Sequence, residues 1–165
     1  MRGPGVYLDT SCVVKRYVEE RGTEVVDRVY GEAEAGRLVV AFSVWNVGEA
    51  IGVLDRYHRR GVISDGELET ALRLLASETM KMTRLGALHV LPISSRSLVD
   101  SWLLVLRHHL YEADALQISS AKEAGCRLFL GADSTLLEAA GREGLKCVNI
   151  EKEPEKAMEG LEPRQ

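Results

Sequence analysis

A chain of 165 residues with 45% apolar and 28% charged side chains has the length of one ordinary domain and can bury a core without disulfides or a structural metal. Its net charge of −4, spread along the chain rather than blocked, excludes both a disordered body and binding to nucleic acid through bulk positive charge, leaving room only for a local basic rim. Cys12, Cys126 and Cys147 are odd in number and lack a Cys-x-x-Cys spacing, which excludes a disulfide framework and a zinc site; they read as small buried apolar residues in a reducing cytoplasm.

In chain order, Val6-Tyr7-Leu8 reads as a short buried strand, and Asp9-Thr10-Ser11 supplies capping residues for a helix through Tyr17. Thr23 caps a second helix with apolar positions at Val25, Val26, Val29, Tyr30 and Ala33, stopped by Gly36. Leu38 to Phe42 is a second strand. Ser43 opens a third helix to about Arg60, with Val44, Val47, Ile51, Leu54 and His58 at helical spacing and Gly61 as its stop. Ser64-x-x-Glu67 has the pattern of a capping box for a fourth helix to about Leu85.

Leu88 to Ile93 is the third strand. Ser95 to Leu110 and Glu112 to Ala124 are the fifth and sixth helices, Arg127 to Leu130 the fourth strand, Ser134 to Arg142 the seventh helix and Lys146 to Ile150 the fifth strand. Strands alternating with helices predict a three-layer α/β/α sandwich around a central, mostly parallel five-stranded sheet. Residues 1–150 read as one domain, and 151–165, charged and holding two prolines, as a loosely ordered tail. The longest apolar runs, such as Trp102–Leu106, fall far short of the ~20 residues a membrane helix needs, so no membrane association is expected.

Ligands of an open parallel sheet collect outside the carboxyl ends of its strands, and Asp9 and Asp133 both follow strands there. Either also suits a helix N-cap. Asp114 lies on a helical stripe with Leu110, Ile118 and Ala121, and Glu49 lies four residues from both Trp45 and Val53 beside Gly48 and Gly52. An acid on such a face needs a partner, which a salt bridge or a retained proton also provides. Four carboxylates converging at one sheet edge repel one another unless a cation joins them, and oxygen donors without His or Cys favour Mg²⁺ or Mn²⁺. Phosphodiester hydrolysis is the chemistry that suits such a cluster.

The stretches Val6-Tyr7-Leu8-Asp9-Thr10-Ser11, Ser43-Val44-Trp45-Asn46-Val47-Gly48-Glu49-Ala50, Tyr111-Glu112-Ala113-Asp114-Ala115-Leu116 and Leu128-Phe129-Leu130-Gly131-Ala132-Asp133 resemble the ordered acidic motifs of PIN-domain ribonucleases across residues 6 to 150, and look closest to the VapC-like toxins. The resemblance implies RNA cleavage with Mg²⁺ or Mn²⁺ that leaves a 5′-phosphate, a paired antitoxin, a homodimer and a cytoplasmic location. It makes Asp9, Glu49, Asp114 and Asp133 the catalytic metal-binding acids, with Ser11 behind them positioning Asp9 or a water. Many relatives place a Thr or Ser two residues before the last acid where this chain has Gly131, which removes a polar contact. A PIN-like RNA-processing nuclease without an antitoxin, and a non-catalytic PIN-like binding module, stay open as alternatives. Phosphoryl transfer to an aspartate needs further acids beside the first strand, where this chain has Thr10 and Ser11.

Lys15, Arg16 and Arg56 are the candidates for holding RNA phosphates, with Arg59 and Arg60 behind them, although each also suits a solvated helix face. Asn46, one turn before Glu49, either faces the site or caps its helix. His58, His89, His108 and His109 form no ligand pattern, and Trp45, Trp102, Phe42 and Phe129 read as core.

Overall fold

The computed structural model describes residues 5–161. Its elements run β1 (Val6–Leu8), α1 (Thr10–Lys15), α2 (Thr23–Glu34), β2 (Val40–Ser43), α3 (Val44–Arg59), α4 (Asp65–Arg84), β3 (Leu88–Leu91), α5 (Ser95–His108), α6 (Glu112–Glu123), β4 (Leu128–Gly131), α7 (Ser134–Arg142), β5 (Lys146–Asn149) and α8 (Pro154–Leu161). The five strands and first seven helices follow the expected order. The Ser64–Glu67 capping box forms, and a second joins Ser43 to Asn46 at the start of α3.

The sheet has the order β3-β2-β1-β4-β5 with every pairing parallel. Strand alternation divides the core between its two faces. Val6, Leu8, Val40, Phe42, Leu128 and Leu130 pack against α1 to α4 and α8, whereas Tyr7, Ala41 and Phe129 pack against α5, α6 and α7. Helices thus cover both faces, giving the three-layer sandwich. No helix among the described residues is long and apolar enough to cross a membrane.

Three expectations are corrected. The segment after Ile150 is not loosely ordered as far as Leu161: Pro154 opens α8, whose Ala157 is buried and whose Met158 and Leu161 pack on the core under α2 and β5. Residues 1–4 and 162–165 lie outside the described residues. Trp45 and Trp102, expected in the core, are 47% and 53% exposed. In α3 the buried face is Asn46, Ala50 and Leu54, while Val44 and Ile51 face solvent, because Asn46 is held inside by hydrogen bonds rather than by hydrophobicity.

Candidate active site

Strands are added to one side of β1 by β2 and β3 and to the other by β4 and β5. The strand order therefore reverses at β1, and the crevice beyond the carboxyl ends of β1 and β4 is where such a sheet binds ligands. A cleft of roughly 670 Å³ opens there. Asp9, directly after β1, and Asp133, two residues after β4, line it together with Glu49 from α3 and Asp114 from the first turn of α6.

Both strand-end aspartates are helix N-caps as well as cleft residues, so the two sequence readings hold together. Asp9 is 3% exposed, and its Oδ1 accepts hydrogen bonds from the Ser11 hydroxyl (2.6 Å) and the Cys12 N–H (2.9 Å). Ser11 in turn accepts from the Ala132 N–H at 3.2 Å, which ties the start of α1 to the loop after β4. Asp133 Oδ1 accepts from the N–H groups of Thr135 (2.7 Å) and Leu136 (3.1 Å). For Asp133 both of these hydrogen bonds fall on one oxygen.

Gly131 has a reason the sequence did not reveal. A Cβ at this position would stand 2.6 Å from Asp9 Oδ2 and 3.0 Å from its Cγ. The missing hydroxyl is not a gap in the site; the absent side chain is the space into which Asp9 leans.

Glu49 is half-buried. Its Oε2 accepts from the Thr10 hydroxyl at 2.7 Å and from Gln117 Nε2 at 3.4 Å. Asn46 both forms the capping box of α3 and faces inward, donating to Thr10 Oγ1 (3.0 Å) and Gln117 Oε1 (2.7 Å). Thr10 and Gln117 were missed by sequence reasoning. Gln117 lies three residues after Asp114, on the same side of α6, and that spacing was the available signal. Its burial was not legible, because α6 is enclosed on almost every side, with eight of its residues buried and no polar face to set the register.

The predicted cations part company. Arg56 is exposed, lines the cleft and has no ion pair among the described residues. Lys15 also lines the cleft but is 5% exposed and already bridges Glu20 (2.9 Å) and Glu151 (2.6 Å). Burial works against its charge, but those two carboxylates outweigh it and hold its pKa above the ordinary value. Arg16 does not reach the cleft. It forms ion pairs with Glu78 and Asp27, both at 2.6 Å, and lies over the Tyr30 ring, because α1 ends at Lys15 and Arg16 turns toward α2 and α4. Its expected role in holding phosphate is withdrawn on that placement. Arg59 pairs with Asp55 and Arg60 caps α3; neither lines the cleft.

Six carboxylates therefore line the cleft, counting Glu20 and Glu151, against the two cations Lys15 and Arg56. The imbalance registers on individual groups. Burial raises the pKa of Asp9, against the lowering effect of Ser11 and Cys12. Burial first, then the charges of Asp133, Glu49 and Asp9, push Asp114 up to about 6. Every donor is a hard oxygen, the set that suits Mg²⁺ or Mn²⁺. Among the described residues no three His, Cys, Asp or Glu side chains stand close enough, as placed, to ligate one ion.

The sequence matches the PIN domain family over residues 6–142, from the first residue of β1 to the last of α7. The chain belongs to the PIN-domain family. Its fold is also that of solved structures at low identity. PAE2754 from Pyrobaculum aerophilum is 16% identical with a TM-score of 0.64, covering 94% of this chain and 96% of that one. FitAcB from Neisseria gonorrhoeae is 14% identical with a TM-score of 0.63 and coverages of 88% and 97%. VapC20 of Mycobacterium tuberculosis, described as a toxin that cleaves the sarcin-ricin loop, is 16% identical with a TM-score of 0.58 and coverages of 86% and 96%. No curated protein sequence matches this PIN domain.

The raised Asp114 makes one prediction for the PIN domain without added ions. Below about pH 4 the carboxyl is protonated in both the folded and unfolded chain. As pH rises through about 6 the unfolded state gives up its proton first, so folding loses stability across that window and the cost is complete above it. Two pKa units set a ceiling of about 3 kcal/mol; solvent in the open cleft reduces it to about 1 kcal/mol. Asp114→Asn in EDTA is expected to raise the melting temperature by a few degrees at pH 7.5 and to leave it unchanged near pH 4. A clear fall at pH 7.5 on thermal denaturation would mean that Asp114 holds a stabilising partner instead.

Proposed function

We propose that this PIN domain is a metal-dependent endoribonuclease, the toxin of a toxin-antitoxin pair, that hydrolyses RNA phosphodiester bonds with Mg²⁺ or Mn²⁺. PIN domains are in general nucleases, and one observation of this chain carries the reading: four acids from α3, α6 and the ends of β1 and β4 line one cleft that has far more carboxylates than cations. An RNA phosphate entering it without added positive charge would be repelled.

Asp9, Glu49, Asp114 and Asp133, which all line the cleft, would hold the ion. A bound divalent ion there supplies charge neutralisation and lowers the pKa of water for in-line attack on phosphorus. Ser11, which donates to Asp9 Oδ1, would fix the orientation of that carboxylate when an ion is bound. Arg56 contacts the RNA backbone from the rim, and Lys15 does so where an incoming phosphate displaces one of its two carboxylate partners.

The antitoxin assignment draws on the description of VapC20 as a toxin, and a small reading frame beside this one, encoding a protein that binds the chain and blocks cleavage, is the check. Homodimer formation draws on α5, where Leu98, Val99, Trp102, Leu103 and Leu106 form an exposed apolar stripe. Equilibrium sedimentation reads it, and a monomer at micromolar concentration removes it. A cytoplasmic location accords with three free cysteines.

The central experiment incubates the purified, partner-free chain with single-stranded RNA. Cleavage is expected with MgCl₂ or MnCl₂ and none in EDTA. A folded protein that cuts RNA with neither ion overturns the catalytic reading in favour of a non-catalytic binding module.

A further inference from the structure

The hydrogen bonds around Glu49 have a direction that the chain itself imposes. Asn46 Oδ1 accepts from the Ser43 N–H at 2.9 Å, and a backbone N–H can only donate, so this atom is fixed as the oxygen. The Tyr7 hydroxyl donates to the same oxygen at 2.7 Å. Asn46 Nδ2 must then donate outward, and it does so to Thr10 Oγ1 at 3.0 Å and Gln117 Oε1 at 2.7 Å. Gln117 Oε1 also faces the Thr10 N–H at 3.3 Å, which fixes the second amide in the same way.

Two consequences reach Glu49. The Thr10 hydroxyl accepts from Asn46, so its single proton goes to Glu49 Oε2 at 2.7 Å. Gln117 has its oxygen turned to Asn46 and Thr10, so its NH₂ is turned to the same Oε2 at 3.4 Å. Both donors end on one oxygen, and nothing in the network faces the other. Asn46 is fully buried and Gln117 is 3% exposed, so neither amide can exchange its partners for water without cost.

We infer that Thr10, Asn46 and Gln117 are positioning residues that hold Glu49 with Oε2 occupied, so that it offers a cation one oxygen and not two. Asp133 has the same arrangement, with both of its helix-capping hydrogen bonds on Oδ1. Two carboxylates restricted to single-oxygen contact would suit a small octahedral ion with retained waters, and would disfavour Ca²⁺, which takes more oxygens and accepts bidentate carboxylates. The network thereby selects Mg²⁺ and Mn²⁺ against Ca²⁺. This inference rests on the metal-nuclease reading of the cleft.

Titration calorimetry of the full chain with MnCl₂ and with CaCl₂ tests it without RNA. Thr10→Val removes the proton donated to Glu49 at nearly constant shape, Gln117→Met removes the second donor, and Thr10→Ser keeps the hydroxyl. Thr10→Val and Gln117→Met are expected to weaken Mn²⁺ binding about tenfold while weakening Ca²⁺ binding less, so that the Mn²⁺/Ca²⁺ preference narrows; Thr10→Ser stays within about twofold of wild type. General loosening of the fold would weaken both ions alike and leave the preference unchanged. That result, or folded Thr10→Val and Gln117→Met proteins with wild-type preference, overturns the inference while the metal reading stands. A wild-type chain that takes up no Mn²⁺ overturns the metal reading, and this inference with it. A melting curve for each variant fixes the assay temperature below unfolding, and the two variants, on different helices, give separate tests.

Discussion

Asp9→Asn is expected to reduce RNA cleavage by about a thousandfold or more while leaving the chain folded. The magnitude follows from losing a charged ligand whose contribution to transition-state stabilisation is several kcal/mol. The retained fold follows from local geometry. An Asn carbonyl oxygen in place of Oδ1 still accepts from Ser11 and the Cys12 N–H, so the cap of α1 survives. The amide nitrogen then occupies the position of Oδ2 and presents hydrogens to the place a cation would take. Burial already disfavours the Asp9 charge in the ion-free chain, so the melting temperature in EDTA is expected to hold or rise. Initial rates in MnCl₂ measure the effect; a variant within tenfold of wild type would remove Asp9 from the chemistry.

Gly131→Ala is the second large effect. The new methyl carbon would meet Asp9 Oδ2 at 2.6 Å and Leu137 Cδ2 at 3.3 Å. Gly131 has no positive φ among the chain's backbone exceptions, so the constraint is space alone. Asp9 cannot swing aside freely, because Oδ1 is tied to Ser11 and to the first turn of α1. The cost of forcing a carbon into a packed site is about 1–3 kcal/mol, a melting temperature lower by several degrees. A carboxylate displaced by up to an ångström costs about a hundredfold in rate. Thermal denaturation and initial rates, taken together, test this: unchanged stability and unchanged activity would mean that the strand moves to make room.

Much of this was legible in the sequence where hydrophobicity or topology speaks directly. The apolar runs Val6–Leu8, Val40–Phe42 and Leu128–Leu130 can only be buried strands, and their alternation with helices gives a parallel sheet. Once the sheet is parallel, Asp9 and Asp133 fall at strand ends where ligands gather. Glu49 and Asp114 were noticed because acids on largely apolar helices need a reason.

The unread parts were those set by mutual contacts. Gln117 taken alone looks like a surface residue, Thr10 reads only as part of a cap and Asn46 suits either the site or a cap; their hydrogen bonds to one another are what bring them inside. Arg16 lies close to Asp9 in sequence, but a six-residue helix leaves it paired with Glu78 and Asp27, outside the cleft. Trp102 reads as core from its apolar sequence neighbours, whereas on α5 it stands in an exposed stripe. The Glu- and Lys-rich stretch after Ile150 read as a tail because its apolar side is only Ala157, Met158 and Leu161.

The placement of β1 at the middle of the sheet also bears on when the cleft can form. β1 is made before the rest of the sheet, yet one of its two neighbours, β4, and the residues Asp114 and Asp133 are made only after α1 to α5. Until that late strand docks, Asp9 has no Gly131 to lean over and Ser11 has no Ala132 N–H to accept from. A nascent chain therefore holds its first acid without its last, and the cleft that gathers all four acids can form only after β4 has been made and docked beside β1.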